Sequence, residues 1–89
     1  MRAVITVIGK DVVGILAKVS GMCAEYNVNI VDVTQSVLQD MFAMIMLAEV
    51  SGCSVAFEQF AEQLSELGRE NGLSIHVMHE DLFNSMHRI

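Results

Sequence analysis

Ala3 to Ile8 (AVITVI) runs into Gly9-Lys10-Asp11-Val12-Val13-Gly14-Ile15-Leu16, and the junction between these stretches decides the kind of fold. The first is a short β-branched run closed by glycine, the pattern of a fully buried strand. Beyond the loop, Ile15, Val19, Met22, Cys23 and Tyr26 recur at i, i+4, i+7, i+8 and i+11. That spacing predicts one apolar helix face. Asp11 or a neighbour is expected to cap the helix start, and Asn27 sits where a left-handed residue ends a helix. Strand, tight loop and amphipathic helix together form the opening half of a βαβ unit.

Downstream, Asn29 to Leu38 (NIVDVTQSVL) sets Asp32, Thr34 and Ser36 against Val31, Val33 and Val37, which is strand period. Gln39-Asp40 breaks the chain tightly, without the Asn-Gly pair that favours hairpins. Met41 to Val50 then reads as a strand apolar on both faces. Ser54 is the expected N-cap of a second helix buried along Phe57, Phe60, Ala61, Leu64, Leu67 and Gly68 and closed by Asn71-Gly72. Leu73 to Glu80 alternates Leu73, Ile75 and Val77 with Ser74, His76 and Met78, a fourth strand. Asp81 to Ile89 forms a short terminal helix with Leu82, Phe83, Met86 and Ile89 on one side.

The order β-α-β-β-α-β predicts an α+β, ferredoxin-like sandwich: a four-stranded antiparallel sheet, two helices on one face, and a short C-terminal helix. The domain is assigned to residues 1–80. Residues 81–89 are a helical tail of the same domain or of its dimer interface. The second sheet face is left open, and Met44, Met46 and Met78 are expected to make it greasy. At about 25 cal/mol per Å² of apolar area, hiding several such side chains supplies several kcal/mol.

Composition points the same way. Eighty-nine residues make one small domain, which buries only roughly 60% of its unfolded surface. Hydrophobic residues nevertheless reach 53% and mean hydropathy is +0.48. Apolar surface shared with a second copy, a homodimer, resolves that tension. The net charge is −6, and the five basic residues, Arg2, Lys10, Lys18, Arg69 and Arg88, form no stripe. Nucleic acid and anionic membrane surfaces are therefore excluded as partners. Cys23 and Cys53 read as reduced, buried thiols rather than a disulfide. With no charged leader and no apolar run of about 18 residues, the expected compartment is the cytoplasm.

The loop carries two chemical readings. A helix start exposes unpaired N–H groups and a partial positive end suited to a carboxylate or phosphate. Equally, Asp11 caps the helix and Gly14 merely allows close packing. Asp11-Val12-Val13-Gly14-Ile15-Leu16, followed by an amphipathic helix and Asn27-Val28-Asn29-Ile30, resembles the D-x-x-G-[IL]-L loop and N-I junction of the ACT family. The resemblance covers residues 2 to 80. Length and tail, His79 to Ile89, are further similar to bacterial stand-alone ACT proteins of unassigned function.

The resemblance implies a non-enzymatic regulatory module that pairs through its sheets and binds an amino acid or similar metabolite between subunits. By that likeness the ligand-binding residues are Asp11, Val12, Val13, Gly14, Ile15 and Asn29. Backbone N–H groups near Gly14 and Ile15 would meet a carboxylate, and Asp11 with Asn29 an ammonium. Val12 and Val13 depart from the family, which often has a basic residue and a proline there. The other reading is an assembly subunit without a small ligand, docking a regulated partner protein through the open sheet and the tail's Leu82, Phe83 and Met86.

Other constellations carry less. In a strand, His76 and His79 point to opposite faces, so they do not chelate one metal, and His87 has no ligand cluster beside it. Glu58, Glu62, Glu66 and Glu70 make a solvated acidic stripe at i, i+4. No nucleophile stands beside a base, and no glycine loop cradles phosphate. An acylphosphatase-type arginine and a metallochaperone CxxC are both missing from the first loop. No cofactor is expected.

Overall fold

The computed structural model describes residues 1–10 and 14–86, apart from the Leu38 side chain. The elements are β1 (Arg2–Gly9), α1 (Ile15–Glu25), β2 (Asn29–Leu38), β3 (Met41–Glu49), α2 (Phe57–Glu70), β4 (Ser74–His79) and α3 (Glu80–Met86). All strand pairs are antiparallel, in the order β2-β3-β1-β4. This is the ferredoxin-like arrangement that the element order predicts.

Alternation along β1 sorts the two sheet faces. Ala3, Ile5 and Val7 are fully buried and meet the helices, as do Met44, Met46 and Ala48 of β3. Ile15, Val19 and Cys23 of α1 and Phe60 and Leu64 of α2 close the core above them. Met44 and Met46 therefore do not lie on the open face, contrary to expectation. β3 is apolar at nearly every position, so hydrophobicity alone leaves its facing undetermined. Its register does fix it: Met46 stands opposite Ile5 and Met44 opposite Val7. Unbranched methionine also fills irregular core gaps well.

The opposite face is a grid of three rows. Ser36, Ala43, Ile8 and Ser74 are aligned at one end; Thr34, Ile45, Thr6 and His76 cross the middle; Asp32, Leu47, Val4 and Met78 lie at the other end. This face is not wholly open. Val4 is only 4% exposed yet does not belong to the helix-side core. It lines a groove with Phe83 and Asn84, so α3 has folded back over the third row. An Arg2–Glu80 ion pair of 3.0 Å anchors that helix to β1.

Both long helices end in the same hydrogen-bonded motif. After α1, Val28 N–H donates to the Cys23 carbonyl (2.7 Å) and Asn27 N–H to that of Ala24 (3.1 Å), with Asn27 at φ 61°. After α2, Leu73 N–H donates to Gly68 (2.8 Å), and Gly72 takes φ 69°. These bonds satisfy carbonyls that the helix itself leaves unpaired. Asn27 and Asn71-Gly72 thus stop the helices where the sequence indicates. Ser54 does not start α2, whose N-cap is Ala56. The Ser54 N–H instead donates to the Tyr26 carbonyl at 2.9 Å, pinning the loop to the end of α1.

Cys23 and Cys53 are both free thiols. Burial, with Cys53 as a lesser cause, pushes the Cys23 thiol up to about 11, so it behaves as a small apolar core residue. Cys53 is half-buried rather than fully enclosed.

Candidate functional site

β1 delivers the chain at Gly9 to the loop read as a ligand site. Asp11, Val12 and Val13 lie outside the described residues, and so does the expected Asp11 cap. Gly14 and Ile15 stand together at the start of α1. Gly14 is the N-cap, exposed, at φ 75°, a left-handed conformation that costs an L side chain roughly 1–2 kcal/mol. It has no side chain to occupy the N–H groups of the first helical turn, and that turn holds no acidic residue. The helix therefore begins with its partial positive charge uncompensated by its own first turn.

Positive side chains gather at this same end. Lys18 Nζ donates to Asn71 Oδ1 at 2.8 Å, and Asn71 Nδ2 donates to the Leu67 carbonyl at 2.8 Å. The closing residue of α2 thus holds a lysine of α1. Lys10 pairs loosely with Asp40 at 3.7 Å, both exposed. A wide depression of about 570 Å³ opens beside them, lined by Gly9, Lys10, Met41, Asn71, Gly72 and Ser74. That volume is within the usual range for small-molecule pockets. The groove beneath α3, at about 180 Å³, falls below it. Sequence reading missed Lys18 and Asn71 as members of this end. The available signal was a lysine near the positive end of a helix, where a cation is out of place unless engaged elsewhere.

Asn29 is not brought to this end. It opens β2 opposite Glu49, which in turn faces Arg2, the first residue of β1. An eight-residue strand at about 3.3 Å per residue spans roughly 23 Å. Within one subunit Gly14 and Asn29 therefore sit at opposite ends of the sheet, and no amino acid touches both.

At the Asn29 end, one Glu49 oxygen accepts from the Ser51 hydroxyl (2.5 Å), the Met1 ammonium (2.9 Å) and the Ser51 N–H (3.0 Å). The Ser51 hydroxyl first, then the ammonium and the Ser51 N–H, draw the Glu49 carboxyl down from 4.5 to about 2. A depressed carboxyl pKa contributes stability above its unfolded value and loses it as pH falls through the folded one. Glu49→Gln is expected to be less stable than wild type at neutral pH. That gap should close between about pH 4.5 and 2, read by chemical denaturation. A gap constant across the window would contradict the hydrogen bonds just described.

The histidines take separate places. His76 pairs with Thr6 on the second sheet face, whereas His79 stacks on Phe57 at a centroid distance of 4.2 Å. His87 lies outside the described residues. Among the described residues, no three His, Cys, Asp or Glu side chains are grouped to hold a metal ion. Glu58, Glu62, Glu66 and Glu70 are all exposed, the solvated stripe that their spacing indicates, with Glu66 paired to Arg69. No helix among the described residues is long and apolar enough to cross a membrane.

Comparison with known proteins places this geometry in context. A family model described as an ACT domain matches residues 2–78. A UPF0237 protein of Clostridium acetobutylicum is 47% identical over 89 residues, covering 100% of both chains. One from Methanopyrus kandleri is 47% identical over 88 residues, 99% of this chain and 98% of its own. An ACT domain protein from Streptococcus pneumoniae superposes with a TM-score of 0.80 at 35% identity, covering 93% of each chain. A formyltetrahydrofolate deformylase from Pseudomonas syringae shares the fold alone, with a TM-score of 0.76 at 22% identity. The match covers 88% of this chain and 27% of that one.

Proposed function

The chain belongs to the ACT domain family, and on that premise we propose that it is a small, non-catalytic, cytoplasmic regulatory module that binds an amino acid or similar metabolite between the subunits of a homodimer. One observation carries this reading: Gly14 and Asn29 occupy opposite ends of one sheet, so a ligand held by both has to bridge two copies.

β2 is an edge strand, and its far end, Leu38, lies at the same end of the sheet as Gly9. Pairing two β2 edges antiparallel about a two-fold axis turns the second copy end for end. The second copy's Asn29 then approaches the end that carries Gly14. Such an interface is isologous, each copy giving the same patch. The ligand's carboxylate meets the N–H groups of the first turn of α1, and its ammonium meets Asp11, as the sequence suggests, and the amide oxygen of the other copy's Asn29. Lys18 supplies the positive charge that Val12 and Val13 lack.

A thermal-shift panel of amino acids is the direct test. At a ligand concentration one hundred times Kd, binding stabilises by about 2.7 kcal/mol, a rise of roughly 10–20 °C in Tm for a domain of this size. At least one amino acid is expected to raise the wild-type Tm by that much and to lose the effect in Asn29→Ala. A panel that leaves the wild type unmoved overturns the sensor and favours an assembly subunit without a small ligand.

A further inference from the structure

Cys23 and Cys53 are the chain's two cysteines, and the fold brings both to one end of the core. Cys23 is the last buried residue of α1, 1% exposed, whereas Cys53 is half-buried in the loop between β3 and α2. That loop is fastened to the end of α1 on either side of Cys53. Before it, the Gly52 carbonyl accepts from Asn27 Nδ2 at 2.9 Å. After it, the Ser54 N–H donates to the Tyr26 carbonyl at 2.9 Å. The fit is close, for a methyl group on Gly52 would stand 3.1 Å from Asn27 Nδ2. Tyr26 follows Cys23 at i+3, on the same side of the helix. The Val28 N–H then turns the chain back onto the Cys23 carbonyl at 2.7 Å. The two thiols are near enough for charge on Cys53 to act on Cys23.

We infer that Cys23 and Cys53 form a redox pair, two thiols at rest that close to a disulfide by exchange with a small disulfide such as oxidised glutathione. In a reducing compartment the open form is the resting one. Accessibility sets the order of the steps. Cys53, which solvent reaches, ionises, and its thiolate attacks one sulfur of the small disulfide. The bond between the two small sulfurs breaks, one thiol leaves, and Cys53 is held in a mixed disulfide. Cys23, enclosed and kept protonated by burial, is out of reach of the oxidant but within reach of Cys53. It gives its proton to water and attacks the Cys53 sulfur, and the second small thiol departs. Two protein thiols have then lost two electrons, and one small disulfide has become two thiols. The bridge ties α1 to the loop before α2 and fixes the turn that leads into Asn29.

The full folded chain, incubated with oxidised glutathione, tests this. A disulfide reagent leaves the seven methionines untouched. The wild type is expected to lose the mass of two hydrogens and both free thiols, and a digest to join the Cys23 peptide to the Cys53 peptide. Its Tm should rise by roughly 10 °C or more, and fall back on reduction. Cys23→Ala is expected to stop with glutathione on Cys53, and Cys53→Ala to take up none. Should Cys23→Ala fail to fold, the wild type and Cys53→Ala carry the test. A wild type that keeps both thiols overturns the inference. So does one that stops with glutathione on Cys53, that joins two chains through Cys53, or whose bridge lowers the Tm.

Discussion

Phe60→Ala is expected to bring the domain to the edge of unfolding. The ring is fully buried between α2 and the sheet and meets Tyr26 edge-on, with centroids 6.0 Å apart at 78°. Removing a buried phenylalanine costs about 3–5 kcal/mol. At 0.05–0.15 kcal/mol per residue, a domain of 89 residues has a total stability of about 4–13 kcal/mol. One substitution therefore takes a large part of it. Urea unfolding followed by circular dichroism should show the midpoint falling steeply, with the variant partly unfolded in plain buffer at the lower end of that range. A loss under about 1 kcal/mol would mean that this ring does not anchor the two helices to the sheet.

The second large effect is at a residue with no side chain. Gly68, in the last turns of α2, lets the helix lie directly on β4. A methyl group built there would stand 2.9 Å from Ile75 Cγ1 and 2.9 Å from the Leu73 carbonyl oxygen. The carbonyl is backbone, held near by the Leu73 N–H to Gly68 bond, so it cannot simply rotate aside. Gly68→Ala is expected to destabilise by about 1–3 kcal/mol, the usual cost of overpacking. Gly21, inside α1, is exposed with nothing within 4 Å. There the same substitution is expected to stabilise by about 0.5–1 kcal/mol through helix propensity. Paired thermal melts therefore shift in opposite directions, and two shifts of one sign would contradict the close approach of α2 and β4.

Most of the architecture was legible because its signals were local. The alternation in residues 73–80, the helical spacing from Ile15 to Tyr26, and the left-handed stops at Asn27 and Gly72 each follow from backbone geometry a few residues long. What resisted reading was non-local. Which set of β3 side chains faces the helices depends on pairing with β1, and an unbroken apolar run carries no parity to settle it. That α3 returns over Val4 depends on Arg2 meeting Glu80 from the opposite end of the sequence. Ser54 was a reasonable cap by residue type, but it belongs to the loop pinned to the Tyr26 carbonyl, and the helix starts only at Phe57, after Ala56. As for the candidate site, the loop motif and Asn29 were found from sequence. Their separation along the sheet was not, because distance within a fold is set by topology. Lys18 joins the picture only through Asn71, a contact between residues 53 positions apart in the chain.

The place of β1 has a consequence for how the molecule is made. It lies in the middle of the sheet, yet both strands that flank it are synthesised later, and Ala3 waits for His79. A nascent chain can form α1 early, but it has nothing against which to lay that helix until β3 emerges, and one flank of β1 stays unpaired until β4 does. Productive folding is thus a late, nearly whole-chain event. Joining the ends and cutting at Gln39-Asp40 would bring β1 and β4 near each other in sequence but would send β2 and β3, a local hairpin in this chain, to opposite ends, so such a permutant should reach its native state no sooner.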